Sequence, residues 1–298
     1  MTEGMTGGGG SVRQVLSRGF AVLGGGDPGF LEAEILLSHV LGRSREWMLA
    51  HGEEAVPAPV VDEYEKMVER RFSTGIPIAY LVGHREFLGL DFSVTPGVLV
   101  PRPETETLVE AVQEWLERNG ARFPSGVLVD AGCGSGIIAV SLARATGRRV
   151  IATDSSPVAI KTAEANASRH GVQGLVEVRA GNWLEPVEGE AGAGTICAIA
   201  SNPPYIPSGV IAMLDRDVRD FEPHGALDGG LDGLDSIRVL VREAHRLVPA
   251  GGFLAMEIGD NQALRVKGLL RESGWKEIRL IRDLAGLDRV VTAEKGSK

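Results

Sequence analysis

A doubly wound α/β fold is predicted for most of this chain, a seven-stranded and mostly parallel sheet preceded by a helical bundle and a hairpin. Three observations carry that prediction. From Val127 onward, short apolar runs alternate with helix-period segments, the order expected of parallel strands with crossover helices. A glycine-rich turn, Ala131-Gly132-Cys133-Gly134-Ser135-Gly136, separates the first of those runs from a helical pattern. Residues 11–85, in contrast, carry only helical patterns.

Met1 to Gly10 reads as a flexible Gly-rich tail, without the charged and apolar segments of a signal peptide. Ser11 to Leu23 places Val12, Val15, Leu16 and Phe20 near helical spacing. Asp27 followed by Pro28 reads as an N-cap with proline at the first helical position, opening a helix that runs to Gly42. Ser44 to Ala50 and Pro59 to Phe72 supply two more, the latter with Val60, Val61, Tyr64, Met67, Val68 and Phe72 on roughly one face. Residues 11–85 are therefore expected to form a helical docking domain. Glu86 to Leu88 and Leu90 to Thr95 read as strands joined near Gly89, a hairpin connector over 86–100.

The third domain, 101–298, opens with Pro101-Arg102-Pro103-Glu104-Thr105-Glu106. Its prolines stiffen the start of a helix reaching about Asn119, and its acids suit the positive end of the helix dipole. Strands are expected at Val127 to Asp130, Val150 to Asp154, Leu175 to Val178, Thr195 to Ser201, Phe253 to Ile258, Glu277 to Ile281 and Arg289 to Thr292. A ligand crevice in such a sheet lies at the carboxyl ends of the strands, and Gly132, Asp154, Trp183 and Asn202 all fall just after such ends.

The glycine turn has the spacing Gly-x-Gly-x-Gly. A dinucleotide fingerprint needs glycine where Ile137 stands, and no lysine follows the turn as a phosphate-binding loop requires. Asp154 closes the next strand, about 20 residues after Gly134, the offset at which an acid accepts hydrogen bonds from a ribose diol. S-adenosylmethionine, with a ribose and an adenine but no phosphate, fits this pattern best.

Asn202-Pro203-Pro204-Tyr205 follows the apolar run Ile196 to Ala200. Two consecutive prolines fix two φ angles and remove two backbone donors, leaving a stiff loop rich in carbonyl acceptors. The Asn202 side-chain oxygen and the Pro203 carbonyl could each accept a hydrogen from a planar NH2 group while the Tyr205 ring stacks on its face. That arrangement points to amino-group methylation, with Asn202, Pro203 and Tyr205 as its catalytic residues and Pro204 beside them against the substrate.

The formal net charge of −9 over 298 residues argues against a large non-specific grip on nucleic acid. Residues 1–85 hold eleven acids against eight Lys and Arg, a solvated surface with no basic stripe. No apolar run approaches the length of a membrane span, so the cytoplasm is the expected place of action. Cys133 and Cys197 are the only cysteines, one in the turn and one in a strand, and the six histidines show no ligand spacing. Neither a disulfide framework nor a metal site is supported.

The chain resembles the HemK/PrmC family of protein-glutamine methyltransferases, which modify the Gly-Gly-Gln loop of peptide chain release factors. The resemblance rests on Ile78 to Gly83 with Arg85-Glu86-Phe87, Val100 to Glu106, Asp130 to Gly136, Asn202 to Tyr205, Phe221-Glu222-Pro223, Glu257-Ile258-Gly259 and Asp283 to Gly286. It implies that Gly132, Cys133, Gly134, Ser135, Gly136, Asp154, Trp183 and Asn202 bind S-adenosylmethionine. It also implies that Asn202, Pro203, Pro204 and Tyr205 hold the target glutamine of a release factor. One position departs from the family's pattern: the residue before Trp183 is usually an acid and is Asn182 here, an amide that still accepts from the adenine amino group but lacks the charge.

Two acceptors other than a release factor fit the same loop chemistry, a glutamine of a ribosomal protein and the amino group of a flipped base. A non-enzymatic binding protein on a decayed methyltransferase fold is a third reading, disfavoured because the turn, Asp154 and the Asn-Pro-Pro-Tyr loop are all intact. The acidic first domain weighs against the base, and a monomer with no direct nucleic-acid partner is expected. Glu104 and Glu106 are candidates for orienting the substrate, and Phe221-Glu222-Pro223 for lining its channel.

Overall fold

The computed structural model describes residues 9–190 and 196–296. The tail expected over 1–10 lies outside the described residues as far as residue 8. Gly10 and Ser11 form a short strand, β1, paired antiparallel with β2 (Ala55–Val56). The described chain divides into two compact units, one running to Gly83 and including Arg216–Phe221, the other made of the rest.

The first unit holds α1 (Val12–Val22), α2 (Gly26–Leu41), α3 (Arg45–Ala50), α4 (Ala58–Thr74) and α5 (Ile78–Val82). Ser11 and Gln14 form a reciprocal capping box, each side chain accepting from the other's backbone N–H, which sets the start of α1. The cap expected at Asp27 is displaced. Gly24, Gly25 and Gly26 all adopt positive φ, so the chain completes its turn before Asp27, and α2 starts at Gly26 with Gly25 as its N-cap. Asp27 then sits in the first turn, where its charge suits the helix dipole. Val15, Leu36, Leu37, Val61 and Tyr64 are fully buried in this unit's core, and the four aliphatic ones each stabilise the fold by roughly 1.5–3 kcal/mol. Arg71 ties residues 216–221 into the unit through Asp217 at 3.8 Å while bonding Glu32 at 2.6 Å.

The second unit begins with the hairpin β3 (His84–Phe87) and β4 (Leu90–Ser93), then α6 (Glu106–Asn119), β5 (Val127–Ala131), α7 (Ile137–Thr146), β6 (Val150–Asp154) and α8 (Pro157–Arg169). It continues through β7 (Val176–Ala180) and β8 (Ile196–Ser201). After α9 (Arg216–Phe221), which belongs to the first unit, come α10 (His224–Leu227), α11 (Asp235–Leu247), β9 (Phe253–Glu257), α12 (Ala263–Glu272), β10 (Trp275–Arg282) and β11 (Asp288–Lys295). Seven of these strands form one sheet in the order β10-β11-β9-β8-β5-β6-β7, parallel except for β11, which runs antiparallel to both neighbours. β10 opens two residues earlier than its apolar pattern suggests, because Trp275 is buried and a register shift follows at Glu277.

Along β5 the side chains alternate between two cores, Val127, Val129 and Ala131 on the α11 and α12 face and Leu128 on the α6 and α7 face. Burial on both faces explains why these strands read as continuous apolar runs. β5 pairs with β6 on one side and β8 on the other, so successive strands turn outward from it in opposite directions. The carboxyl ends of β5, β6 and β8 therefore flank the switch point where a crevice opens. Among the described residues no helix is long and apolar enough to cross a membrane.

Candidate active site

A cavity of about 270 Å³ lies at that switch point, lined by the glycine turn, the ends of β6 and β8, and the segment from Gly97 to Arg102. Gly132, Cys133, Gly134, Ser135, Asp154, Asn182, Trp183, Asn202 and Pro204 all line it. The turn is held by its own bonds. Gly132 and Cys133 each donate a backbone N–H to the Thr153 carbonyl at 2.9 Å, and Gly136 donates to the Cys133 carbonyl at 2.8 Å. Asp154 accepts from the Gly134 N–H at 2.9 Å and the Ser156 N–H at 2.8 Å, which fixes its carboxylate and leaves further lone pairs for a ligand.

With those four amides already engaged, the turn does not present the row of free N–H groups that cradles a phosphate. Its single lining guanidinium, Arg102, donates to Glu222 at 2.6 Å and to the Val100 carbonyl at 3.1 Å. The site suits an uncharged nucleoside portion. Gly132 has φ +76° and a Cβ there would lie 3.0 Å from the Trp183 ring, so any side chain would press the indole out of place. Trp183 itself has φ +43°, a strained value held by the Thr153 hydroxyl donating to its carbonyl at 2.6 Å.

Beneath the turn, Asp130 is fully buried and accepts the Ala139 N–H at 3.0 Å, bracing the start of α7. Burial pushes its carboxyl up to about 7, and the charge of Asp154 adds to the rise. Burial likewise raises the Cys133 thiol well above its ordinary value, so it stays neutral and unreactive.

At the end of β8, the Ser201 hydroxyl donates to the Ala131 carbonyl at 2.6 Å and ties the Asn-Pro-Pro-Tyr loop to the glycine turn. Asn202 donates from Nδ2 to the Thr105 hydroxyl oxygen at 3.2 Å. Thr105 donates in turn to Glu257 Oε2 at 2.7 Å, and the Tyr205 hydroxyl donates to Glu257 Oε1 at 3.1 Å. Glu257 is almost wholly buried, and that burial raises its carboxyl despite the two hydroxyl bonds and Arg289. Burial also raises the Tyr205 phenol, which remains a hydrogen-bond donor.

Three expected residues stand back from the cavity. Gly136 does not line it: at φ +80° its missing Cβ makes room for Ala163, whose Cβ and Cα would lie 3.0 and 3.1 Å away, so it packs α7 against α8. Pro203 is buried in the loop, and Tyr205 packs against the α11 and α12 core with its hydroxyl on Glu257 rather than along the cavity wall. Glu106 accepts the Leu88 N–H at 2.9 Å and so secures the hairpin turn, where Leu88 has φ +49°. Pro223 lines the cavity whereas Phe221 does not, and Glu222 holds Arg102. Thr105 and the segment from Gly97 were not expected as site residues, nor was Glu257 behind them. Thr105, Val100 to Arg102 and Glu257 had as their only signal membership of the sequence segments Val100 to Glu106 and Glu257 to Gly259, and Gly97 to Leu99 had none.

Comparison with known proteins gives two matching families, the PrmC N-terminal domain over residues 14–83 and the methyltransferase small domain over residues 104–214. A release factor glutamine methyltransferase from Moorella thermoacetica is 42% identical over 95% of this chain and 98% of its own length. One from Bordetella pertussis is 42% identical over 89% of this chain and 95% of its own. The solved N-terminal domain of human METTL16 in complex with SAH aligns with a TM-score of 0.52 at 12% identity, covering 88% of this chain and 94% of that one, a likeness of fold.

Proposed function

Because this chain belongs to the release factor glutamine methyltransferases, we propose that it methylates the side-chain amide nitrogen of the glutamine in the Gly-Gly-Gln loop of release factors. It is an S-adenosylmethionine-dependent protein glutamine methyltransferase, and release factors are its substrate class. The observation that carries the finer reading is the Asn202 amide, anchored through Nδ2 and forming part of the cavity wall beside the glycine turn.

S-adenosylmethionine supplies an electrophilic methyl group when bound. Asp154 would hold its ribose, Asn182 its adenine amino group and Trp183 its flank, while the pre-bonded turn from Gly132 to Ser135 gives it a wall without phosphate-seeking amides. A glutamine amide nitrogen is a poor nucleophile, since its lone pair is delocalised into the carbonyl. Orientation therefore carries much of the rate, and alignment of the reacting atoms supplies several kcal/mol of the barrier. The Asn202 Oδ1 on the cavity wall, and the Pro203 carbonyl in the part of the loop set back from that wall, would accept the two N–H bonds as positive charge develops on nitrogen, a contribution made mostly in the transition state. No side chain is assigned as general base.

Residues 11–85 are assigned to docking of the folded substrate, a role in keeping with their acidic surface and their separate core. The proposal carries with it a monomeric cytoplasmic enzyme without a direct nucleic-acid partner, in keeping with the net charge of −9. The test offers labelled S-adenosylmethionine together with purified release factor, ribosomal proteins and RNA in parallel. Label is expected in the release factor alone and lost when its Gly-Gly-Gln glutamine is replaced. Label in ribosomal protein or RNA with none in release factor would overturn the substrate assignment.

A further inference from the structure

We propose that Thr105 and Glu257 are positioning residues that set which way round the Asn202 amide faces the cavity. The inference rests on the reading of Asn202 as an acceptor for the substrate NH2 group. An asparagine amide is nearly symmetric in shape but not in chemistry, for one end only accepts hydrogen bonds and the other only donates. Turned the wrong way, Asn202 would present two N–H donors to a substrate nitrogen that also carries two. The hydrogen bond that decides between the two orientations comes from outside the Asn-Pro-Pro-Tyr loop, at Thr105.

The decision comes from across the sheet. Thr105 is fully buried at the start of α6 and its hydroxyl has a single proton. That proton is committed to Glu257 Oε2 at 2.7 Å. The Thr105 oxygen is left as an acceptor only, and it takes the Asn202 Nδ2 proton at 3.2 Å. Glu257 is in turn held by the Tyr205 hydroxyl on its other oxygen at 3.1 Å, so both carboxylate oxygens receive protons and neither rotates away. Donor direction thus runs from Asn202 to Thr105 to Glu257, and the amide oxygen is the end turned to the substrate. Polarity set at a buried carboxylate on β9 is passed to the catalytic loop after β8.

The experiment uses the full-length enzyme, with purified release factor as acceptor. Thr105→Val keeps the shape and removes the hydroxyl, and it is expected to lower kcat by about ten- to a hundredfold, the range of a buried hydrogen bond left unmade. KM for release factor and cofactor affinity by calorimetry should stay within about threefold, since the contact removed acts on orientation rather than on uniform binding. Thr105→Ser, which restores the oxygen and its proton, should recover most of the turnover. In Asn202→Ala there is no amide left to orient, so adding Thr105→Val should cost nothing further. A merely structural role predicts the opposite, with losses that multiply.

Glu257→Gln provides an independent arm should the threonine variant fail to fold. Its amide can donate to the Thr105 oxygen, freeing the hydroxyl proton to meet Asn202 the wrong way round, and the same kcat loss is expected with the melting temperature little changed. Wild-type turnover in Thr105→Val or in Glu257→Gln would overturn the inference, as would multiplying losses in the double variant. If Asn202→Ala itself keeps full turnover, the acceptor reading fails and this inference with it. If Asn202→Ala is inactive and Thr105→Val active, only the inference fails.

Discussion

The glycine turn after β5 and the Asn-Pro-Pro-Tyr loop after β8 lie at the ends of adjacent strands, yet they are held by opposite means. The turn is a backbone device. Its amides bond to Thr153 and Asp154, about twenty residues away, and its glycines serve by lacking side chains. The loop is a side-chain device, its asparagine anchored to Thr105, 97 residues away, and through it to Glu257, 152 residues further on. A surface that must accept a ligand snugly is best made by removing atoms. One that must polarise a particular N–H is made by fixing an oxygen, and that takes partners brought by the tertiary fold.

This contrast predicts that damage to the two regions separates in kinetics. The largest effect is expected from Asn202→Ala, which removes the acceptor proposed to act in the transition state and should lower kcat by about 10²–10³, ~2.7–4 kcal/mol. Cofactor affinity should fall only modestly. Near-wild-type turnover would remove Asn202 from the chemistry.

Next comes the opposite bias at Asp154. Asp154→Ala deletes a carboxylate that accepts two backbone N–H groups and, in the proposed mode, the ribose diol, and should weaken cofactor binding by ~1.5–3 kcal/mol. Turnover at saturating cofactor should change much less. Unchanged affinity by calorimetry would make Asp154 a brace for the turn alone.

The two regions were legible in the sequence to different degrees for the same reason. Asp154 and the turn could be read because their partners recur at a short, fixed offset on successive strands. Asn202 could be read because two prolines mark a stiff acceptor loop. Thr105 could not, since a threonine at a helix start is ordinarily a cap, and only the folded chain shows its hydroxyl pointed at Glu257 instead. Glu257 lies within the run Phe253 to Ile258 and read as part of a strand. Tyr205 was expected along the substrate and is set back from the cavity wall with its hydroxyl on Glu257, because nothing in the loop's own residues distinguishes a ring that stacks on a ligand from one whose hydroxyl bonds a buried carboxylate. Local misreadings had local causes, as at Asp27, where three positive-φ glycines complete the turn early and move the N-cap two residues back to Gly25.

The smallest effect at any one step of pH concerns the foundation of the turn. Asp130 has its folded-state value raised to about 7, above that of an unfolded aspartate, so the native state holds a proton that the unfolded chain has released. Its contribution to stability is fully present below about pH 4 and is lost as pH rises toward 7, at up to about 1.4 kcal/mol per pH unit. Chemical denaturation of wild type and Asp130→Asn across that window should show the wild type losing ground to the variant as pH rises. Parallel curves would mean that Asp130 does not titrate there.

The division of labour and the substrate can be tested together by peptide-resolved mass spectrometry of release factor after a single turnover at saturating S-adenosylmethionine. The expected result is one methyl group on the Gly-Gly-Gln glutamine from the wild-type enzyme and from Asp154→Ala, and almost none from Asn202→Ala. A methyl group on any other residue, or equal methylation by Asn202→Ala, would contradict it.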